Sequence, residues 1–552
     1  MPADPVDPAD PADAAATVAV IGGGVSGLVA ARELALAGAR VVLLEADDRL
    51  GGRVRRETLA GATIDIGAEA FATRGGTVAE LLDELGLGDE IVGPEPLGSW
   101  VITGAGAVPL PAAGTIGIPA TPLSRDAVRA LGVGGALRAA VEPLLPRSVG
   151  RGGSLAELVR ARLGRRVLDR LVRPVVLGVH SSDPADMPIG SVPGLAAAFE
   201  RRGSLVAAAR ELRDSRTAAG GAVAGLSGGM GALIDGLAAD LDRLGATVRT
   251  GSRVSALTRG DDGAGWTVKP SGSGPLAGAD ATADPGVDAA DGVRSGRGVG
   301  SDTGSGSGCD GAVEVDGVIL AVPETVARRL LDAPPSEPEG RVEVVALLVE
   351  DPRLDRAPRG TGALVAGDAA DAGDTVDTGD TADAAGPDQR AGDPPAAPPI
   401  AAKALTHVTA KWPARAAALG AGRHVLRLSY GRVGSAPATD GLPDDEVIRL
   451  ATRDASRILG VELREGSILG MRRREWIAGS PKAGAAAPLT EPRGIALAGD
   501  WVSGTGLASV IPGARAAARR IMDTMLDDER AARANPRKTG RPAQHHEGAQ
   551  QR

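Results

Sequence analysis

Three glycines, Gly22, Gly24 and Gly27, have the Gly-x-Gly-x-x-Gly spacing that can hold a phosphate group. They directly follow the apolar, β-branched run Thr17–Ile21, which is typical of a strand buried on both faces. Apolar residues then recur at helical spacing over Ser26–Ala37. Glycine permits a tight turn and a close approach to a pyrophosphate, and the N–H groups at a helix N-terminus attract negative charge. The pattern therefore predicts a strand, a turn and a helix that bind a nucleotide.

A carboxylate ends the same unit. Arg40–Leu44 is a second apolar strand, and Glu45 follows it, where an acid can accept hydrogen bonds from the ribose hydroxyls of an adenosine. A glycine turn that only packs a helix on a strand is the alternative. The strand before the turn, the helix after it and the acid at the second strand end favour nucleotide binding.

The composition sets the scale of the protein and excludes several classes. A chain of 552 residues with 43% hydrophobic and 24% charged residues can bury a large core and should form two or more lobes. A net charge of −9 argues against a nucleic-acid-binding protein, which needs a basic field. Cys309 is the single cysteine and the five histidines show no ligand spacing, so we expect neither a disulfide framework nor a metal site.

Four segments are too polar or too simple in composition to form a core. Residues 1–16 are acidic and proline-rich without the features of a signal peptide, so we expect a disordered leader on a cytoplasmic protein. Residues 271–311 and 366–399, rich in Gly, Asp and Ala, are predicted to be disordered insertions, and residues 527–552 a disordered tail. No apolar stretch reaches the roughly 20 residues that span a bilayer, so no transmembrane segment is expected.

A second motif follows Glu45. Asp48–Arg56 reads DRLGGRVRR, in which Arg49, Gly51, Gly52 and Arg53 form an Arg-x-Gly-Gly-Arg pattern. With the glycine motif, it resembles the amine oxidase and protoporphyrinogen oxidase superfamily, whose members bind FAD. The resemblance implies that Arg53 approaches the FAD phosphates and Glu45 the adenosine ribose. It assigns the cofactor-binding residues of this part of the chain to Gly22, Gly24, Val25, Ser26, Gly27, Glu45, Ala46 and Arg53.

Further segments resemble the same superfamily. Asp65 and Gly67 match a turn that passes near the isoalloxazine ring, and Glu69 and Arg74 after it are expected to be exposed. The strand and turn around Ile495–Asp500 match the closing segment, with Asp500 near the ribityl or pyrophosphate group. The resemblance adds these residues to the cofactor site: Gly67, Ala68, Val254 (at the adenine), Trp412 in the Lys411-Trp412-Pro413 turn, and Asp500.

The resemblance also implies an α/β architecture. We expect a Rossmann-like FAD-binding domain assembled from residues 17–98, 222–325 and 485–526. Residues 99–221 should form a helical insertion lobe, since residues 123–199 have mostly helical periodicity. Residues 326–484 contain several strand-like runs and should form a β-sheet substrate lobe.

The cofactor is expected to carry out the redox chemistry. The chain has two Phe, one Tyr and five Trp, so an aromatic cage typical of amine oxidases would be hard to build. No nucleophile, carboxylate pair or metal cluster is evident, and in a flavoenzyme the protein supplies orientation and electrostatics. The segments around Trp412 and Leu426–Arg432 resemble the porphyrinogen oxidases most. The resemblance implies FAD-dependent oxidation of coproporphyrinogen III to coproporphyrin III in heme biosynthesis, with O2 as the acceptor and H2O2 as its product.

The substrate class suggests a role for one arginine. Coproporphyrinogen III carries four carboxylates, so arginines should line the pocket mouth, and Arg74 is the candidate because it follows the flavin-proximal turn. The expected partners are the porphyrinogen, O2 and a ferrochelatase that accepts the product. Protoporphyrinogen IX oxidase, a flavin amine or carotenoid oxidoreductase and a non-catalytic FAD carrier remain as alternatives.

Overall fold

The computed structural model describes residues 15–111, 114–218, 223–260, 265–271, 311–336, 340–367, 399–478 and 489–534. The strands of these residues are β1 (Thr17–Ile21), β2 (Arg40–Leu44), β3 (Arg56–Leu59), β4 (Ala62–Asp65), β5 (Phe71–Ala72), β6 (Ile91–Val92), β7 (Trp100–Thr103), β8 (Gly106–Pro109), β9 (Gly114–Thr115), β10 (Ile118–Pro119), β11 (Val223–Leu226), β12 (Thr247–Arg249), β13 (Arg253–Arg259), β14 (Trp266–Ser271), β15 (Val313–Val315), β16 (Gly317–Leu320), β17 (Gly340–Glu350), β18 (Gly362–Val365), β19 (Ala404–His407), β20 (Arg423–Tyr430), β21 (Ile468–Ala478) and β22 (Ile495–Leu497).

Helices connect these strands and form a separate lobe. The α-helices are α1 (Val25–Leu36), α2 (Thr77–Glu84), α3 (Arg125–Ala140), α4 (Leu155–Leu163), α5 (Arg165–Val167), α6 (Arg173–His180), α7 (Leu195–Arg202), α8 (Leu205–Ala218), α9 (Gly231–Arg243), α10 (Glu324–Leu330), α11 (Val408–Lys411), α12 (Pro413–Leu419), α13 (Asp444–Leu459), α14 (Asp500–Ser503) and α15 (Leu507–Ala534). A π-helical stretch, Leu168–Val172, joins α5 to α6.

A five-stranded parallel sheet carries the glycine-rich turn. Its strand order is β12-β2-β1-β16-β22, so strands from widely separated parts of the chain lie side by side. Helices α1, α9 and α15 pack on one face, where Val18 and Val20 are fully buried. The antiparallel sheet β13-β14-β15 covers the other face. This explains why β1 is apolar at consecutive positions, since both of its faces are covered.

A mixed seven-stranded sheet forms the second main part of the fold. Its order is β21-β17-β20-β19-β18-β7-β8, and only β18 and β7 pair in parallel. Helix α13 covers one face through Val447 and Ile458. The hairpin β3-β4 packs on the other face, where Ile64 contacts the side that carries Val344 and Leu348. The hairpin therefore joins this sheet to the glycine-rich half of the molecule.

A buried ion pair stabilises the helical lobe formed by α3 to α8. Arg162 and Glu142 are fully buried, and Arg162 Nε donates to Glu142 Oε1 at 2.6 Å. The Leu205 N–H and the Ser204 hydroxyl also donate to Glu142. Arg162 donates in turn to the Gly203 carbonyl oxygen at 2.9 Å. A buried pair offsets its desolvation only when such extra hydrogen bonds are made, and here they tie three segments together.

Two predicted boundaries were wrong. Residues 100–109 form β7 and β8 of the seven-stranded sheet, although residues 99–221 were expected to be a helical lobe. Helix α15 runs to Ala534, so residues 527–534 are helical and do not belong to a disordered tail. Alternation over only four residues is too short to separate β7 from a helix segment, and a polar helix end resembles a tail in composition.

The predicted leader, insertions and tail otherwise fall almost wholly outside the described residues. One edge is ordered: Ala366, at the start of the predicted insertion 366–399, is fully buried, and its N–H donates to the Ile102 carbonyl oxygen at 2.8 Å. Within the described ranges, every helix is either too short or too polar to cross a membrane.

Candidate functional site

A cavity of about 560 Å³ lies at the carboxyl ends of the parallel strands β1, β2, β16 and β22. This is the edge of an open parallel sheet at which nucleotides bind. The volume is within the ~300–1,000 Å³ typical of ligand sites. Ten residues of the predicted cofactor site line it: Gly22, Gly24, Val25, Ser26, Glu45, Ala46, Arg53, Ala68, Val254 and Asp500.

The three glycines of the turn do different work. Gly22 has a φ of +106°, and a Cβ there would lie 2.3 Å from the Ala321 carbonyl oxygen. A Cβ on Gly27 would lie 1.8 Å from the Gly22 carbonyl oxygen, so Gly27 permits helix α1 to pack on the turn. A Cβ on Gly24 would meet only Gly52 Cα, at 3.9 Å. The space beside Gly24 belongs to the cavity, so that glycine leaves room for a ligand.

Polar groups at the start of α1 suit a phosphate group. The Ser26 hydroxyl is buried and has no hydrogen-bond partner among the described residues. An unpaired buried donor at a helix N-terminus is costly unless a ligand satisfies it. Glu45 Oε2 accepts from the Gly23 N–H at 2.5 Å, and Glu45 Oε1 accepts from the Asp47 N–H at 2.7 Å. Glu45 therefore holds the turn at the end of β2 and presents its carboxylate to the cavity.

Arg53 and Asp500 form a pair at the cavity wall. Arg53 Nη1 donates to Asp500 Oδ2, and Arg53 Nη2 donates to the Ile477 carbonyl oxygen. The sequence predicts a role for each residue separately but does not predict this contact, because 447 positions separate them. The pair closes the wall between the Arg-x-Gly-Gly-Arg loop and α14.

Three predicted cofactor residues do not line the cavity. Gly27 acts through the packing of α1. Gly67 lies against the Arg53 backbone, where a Cβ would be 2.0 Å from the Arg53 carbonyl oxygen. Trp412 lines a separate cavity of about 250 Å³, and its ring approaches Gly225, where a Cβ would lie 2.9 Å from it. Trp412 therefore lies outside the larger cavity and packs against Gly225.

Arg74 lies at the rim of the cavity. Its side chain is exposed, and Nη2 donates to the Ser509 hydroxyl at 2.6 Å. Leu507 and Val510 of the same helix, α15, line the cavity. Burial first and the charge of Arg74 second lower the pKa of His180.

The sequence analysis missed a buried charge cluster beneath the turn that reaches Ala68. Glu69, expected to be exposed, has a side chain that is only 13% exposed. It accepts from Lys411 Nζ at 2.6 Å and from Arg427 Nη1 at 3.0 Å. Arg427 Nη2 also donates to the Gly67 carbonyl oxygen at 2.5 Å. The cluster therefore holds the turn against the seven-stranded sheet. No local sequence pattern predicts it, because Lys411 and Arg427 are more than 300 residues from Glu69.

Electrostatics keep this cluster charged. Burial alone would raise the pKa of Glu69, but the charges of Lys411 and Arg427 and their hydrogen bonds lower it below its usual value. The carboxylate is therefore ionised at neutral pH, and the two cations beside it are compensated.

Comparison with known proteins identifies the fold. The family of flavin-containing amine oxidoreductases matches residues 25–349, more than half of the chain. The chain belongs to this family. A coproporphyrinogen III oxidase of Mycobacterium tuberculosis is 28% identical over 529 aligned residues, which cover 92% of this chain and 97% of that protein. The predicted superfamily and α/β fold are thus confirmed.

Two solved structures share the fold of this flavoprotein. A structure from Exiguobacterium sp. 255-15, provisionally named a protoporphyrinogen oxidase, superimposes with a TM-score of 0.66 at 20% identity, covering 93% of this chain and 99% of that one. A putrescine oxidase superimposes with a TM-score of 0.56 at 16% identity, with the same coverage. At these identities the likeness establishes the architecture alone.

FAD is the cofactor of this flavoprotein, as predicted, and the cavity fits it. The open space at Gly24, the unpaired Ser26 hydroxyl and the N-terminus of α1 suit a pyrophosphate, and Glu45 suits a ribose. Bound FAD supplies two-electron oxidation of a substrate. The chain holds the cofactor, orients the substrate and excludes water. Within the described ranges, no group of His, Cys, Asp and Glu side chains could hold a metal ion.

The glycine geometry predicts separate effects on folding and on binding. Gly24→Ala should leave the thermal stability of the apoprotein nearly unchanged, because a Cβ enters only the cavity, yet weaken FAD binding roughly tenfold or more. Flavin fluorescence quenching during titration measures the affinity. Gly93→Ala, where a Cβ meets nothing within 4 Å, is the matched control. Full FAD affinity in Gly24→Ala would contradict this position for the pyrophosphate.

The Glu69 cluster predicts a pH-dependent stability. Glu69→Gln should lower the free energy of unfolding by about 3–5 kcal/mol at pH 7, since it leaves two buried cations without their carboxylate. The folded pKa of Glu69 is below the unfolded value. Its contribution is therefore fully present above the unfolded pKa and is lost as the pH falls through the folded pKa.

Melting temperatures of both proteins between pH 7 and pH 3 measure this effect. The difference between wild type and Glu69→Gln should shrink as the pH falls. Glu350→Gln is the control, because Glu350 makes a half-exposed ion pair with Arg423 on the same sheet and should have no measurable effect. A pH-independent difference would show that the charge of Glu69 does not stabilise the fold.

Proposed function

We propose that this flavoprotein oxidises coproporphyrinogen III to coproporphyrin III in heme biosynthesis, with O2 as the electron acceptor. The observation that carries the proposal is the similarity to the M. tuberculosis coproporphyrinogen III oxidase, because it extends over 92% of this chain and 97% of that protein. The match thus includes the glycine-rich sheet, the helical lobe and the seven-stranded sheet.

The reaction demands little acid–base chemistry from the protein. Conversion of a porphyrinogen to a porphyrin removes six electrons and six protons, and three O2 molecules accept them to give three H2O2. Hydride leaves a meso carbon and protons leave the pyrrole nitrogens, so no protein nucleophile is needed. The residues described here must instead fix the substrate and keep water away from the cavity.

Arg74 supports a carboxylate-bearing substrate. It is an exposed cation at the cavity rim, and its Nη2 donates to the neutral Ser509 hydroxyl. A guanidinium in this position can form a bidentate pair with a propionate while the ring system lies toward the cavity. Transfer of the product to a ferrochelatase is part of the same proposal.

Protoporphyrinogen IX oxidation is the second candidate, supported by 30% identity over 196 residues to a mitochondrial protoporphyrinogen oxidase of Nicotiana tabacum. An amine substrate is less well supported. The chain has only two Phe, one Tyr and five Trp, and an amine oxidase of this fold commonly presents an aromatic cage.

The proposal predicts turnover of a defined substrate. FAD-loaded protein should oxidise coproporphyrinogen III faster than protoporphyrinogen IX in parallel aerobic assays that follow porphyrin fluorescence and peroxide. About three peroxides should form per porphyrin, and anaerobic samples serve as the control. A rate equal to autoxidation for both substrates, with flavin bound, would refute the proposal, and a preference for protoporphyrinogen IX would establish the second candidate.

Arg74→Ala should raise KM for coproporphyrinogen III about tenfold, because a charge-assisted hydrogen bond to the substrate is lost. FAD affinity should remain within about twofold of wild type, since Arg74 does not line the cavity. Arg129→Ala, which removes a half-exposed arginine paired with Asp126 on α3, is the matched control. Unchanged KM in Arg74→Ala would exclude Arg74 from the substrate site.

A further inference from the structure

A second cavity, of about 550 Å³, lies between the helical lobe and the seven-stranded sheet. The segment from α5 to α6 forms one wall, and the residues before β19 and after β20 form the other. No assigned role of the chain uses this cavity. We call it the inter-lobe cavity.

Its lining is strongly cationic. Four basic side chains face it, from Arg165, Arg173, Lys403 and Arg432, against one acid, Asp169. Arg165 and Arg173 both pair with Asp169, at 3.1 Å and 3.6 Å, and Arg173 also pairs with Asp183. Within the described residues, Arg432 and Lys403 have no carboxylate partner. The cavity therefore carries a surplus of positive charge that suits an anionic ligand.

Lys403 is the most unusual of these cations. Its Nζ donates to the Ser181 hydroxyl at 2.8 Å and to the Gly431 carbonyl oxygen at 2.6 Å. Both acceptors are neutral, although the ammonium group is largely removed from water. A buried ammonium without a carboxylate is costly, and a ligand carboxylate would offset that cost.

Helix α6 links residues of the inter-lobe cavity to Arg74 at the rim of the FAD cavity. Ser181, which accepts from Lys403, directly follows His180 at the end of α6. The charge of Arg74 acts on His180, whose pKa it helps to lower, and Arg74 donates to Ser509 on the helix that lines the FAD cavity. A large ligand that carries several carboxylates could therefore meet both Arg74 and Lys403.

We propose that the inter-lobe cavity binds propionate arms of the substrate and that Lys403 is a specificity-determining residue that selects the tetracarboxylate. This inference rests on the proposed function. Coproporphyrinogen III carries propionates at two positions where protoporphyrinogen IX carries vinyl groups. A vinyl group facing Lys403 makes no ion pair with it, so the tetracarboxylate gains a charge-assisted contact that the dicarboxylate lacks.

Burial lowers the pKa of Lys403 to about 7, so its charge changes near neutral pH in the free protein. The charged groups that line the cavity with it are arginines, which stay protonated, and Asp169, with Asp183 paired to Arg173. The kcat/KM for coproporphyrinogen III should therefore fall as the pH rises above about 7, because the neutral amine no longer attracts a carboxylate.

The test compares Lys403→Met, Lys403→Arg and Ser181→Ala with wild type on both porphyrinogens. Lys403→Met should raise KM for coproporphyrinogen III about tenfold and change KM for protoporphyrinogen IX less than twofold. Lys403→Arg should retain most of the affinity and abolish the fall in kcat/KM above pH 7. Ser181→Ala removes the protein partner but keeps the charge, so it should have KM within about twofold of wild type. Lys269→Met, at an exposed lysine of β14, is the surface control.

Binding of the product provides an independent readout. Coproporphyrin III should bind about tenfold more weakly to Lys403→Met in a porphyrin fluorescence titration, and coproporphyrin III tetramethyl ester should bind equally weakly to both proteins. Equal KM increases for both substrates, or an effect of Ser181→Ala as large as that of Lys403→Met, would show a structural role only and overturn the inference. If wild type binds coproporphyrin III through Lys403 yet oxidises neither porphyrinogen, the proposed function fails while the site stands. Absence of binding to wild type would overturn both.

Discussion

The Glu69 carboxylate, held between Lys411 and Arg427, connects the FAD-binding half of the molecule to the seven-stranded sheet. A flavoenzyme must hold these two parts in a fixed relative position. Its oxygens accept from α11 and from β20, while Arg427 also donates to the backbone of the turn that leads to Ala68. The cluster adds to the backbone hydrogen bonds of the turn, such as that from the Ala68 N–H to the Arg53 carbonyl oxygen at 2.8 Å. Both buried cations are compensated by the Glu69 carboxylate. The ion pairs therefore stabilise only the one position of the turn on the sheet in which both can form.

The two cavities differ in the groups that would contact a ligand. The cavity at the carboxyl ends of the parallel strands is built largely from backbone, since a Cβ at Gly22 or Gly27 would overlap carbonyl oxygens. Such a site reads the shape and phosphate charge of a dinucleotide. The inter-lobe cavity is built from side chains, with Lys403 and Arg432 unpaired by acids among the described residues. Its selectivity depends on which groups of a ligand neutralise those charges.

The helical lobe forms the far wall of the inter-lobe cavity, and its shape depends on one buried pair. Arg162 and Glu142 satisfy each other and the backbone around Gly203 and Leu205. This fixes α4 against α8, and α5 follows α4 after a single glycine. The position of Arg165 opposite the sheet is therefore a consequence of packing in the lobe and not of its own local sequence.

The sequence by itself determined the local parts of the FAD site. Gly22, Gly24 and Gly27 lie within six residues, and strand, turn and helix follow from propensities and periodicity over a short range. The family motifs extended this to Arg53 and Asp500, although not to the contact between them. The predicted boundaries at β7 and at the end of α15 were wrong. Alternation over a few residues does not distinguish a strand from a helix segment, and polar composition does not distinguish a helix end from a disordered tail.

Only the tertiary structure decided which partner each charged side chain contacts. Glu69 and Lys411 are 342 positions apart, Lys403 and Ser181 are 222 apart, and Arg74 and Ser509 are 435 apart. Each of these residues is an ordinary polar residue in its own segment. The chain is rich in arginine and acid, so the sequence allows a very large number of pairings. Burial selects among them, because a charge removed from water is tolerated only where the fold supplies its partner.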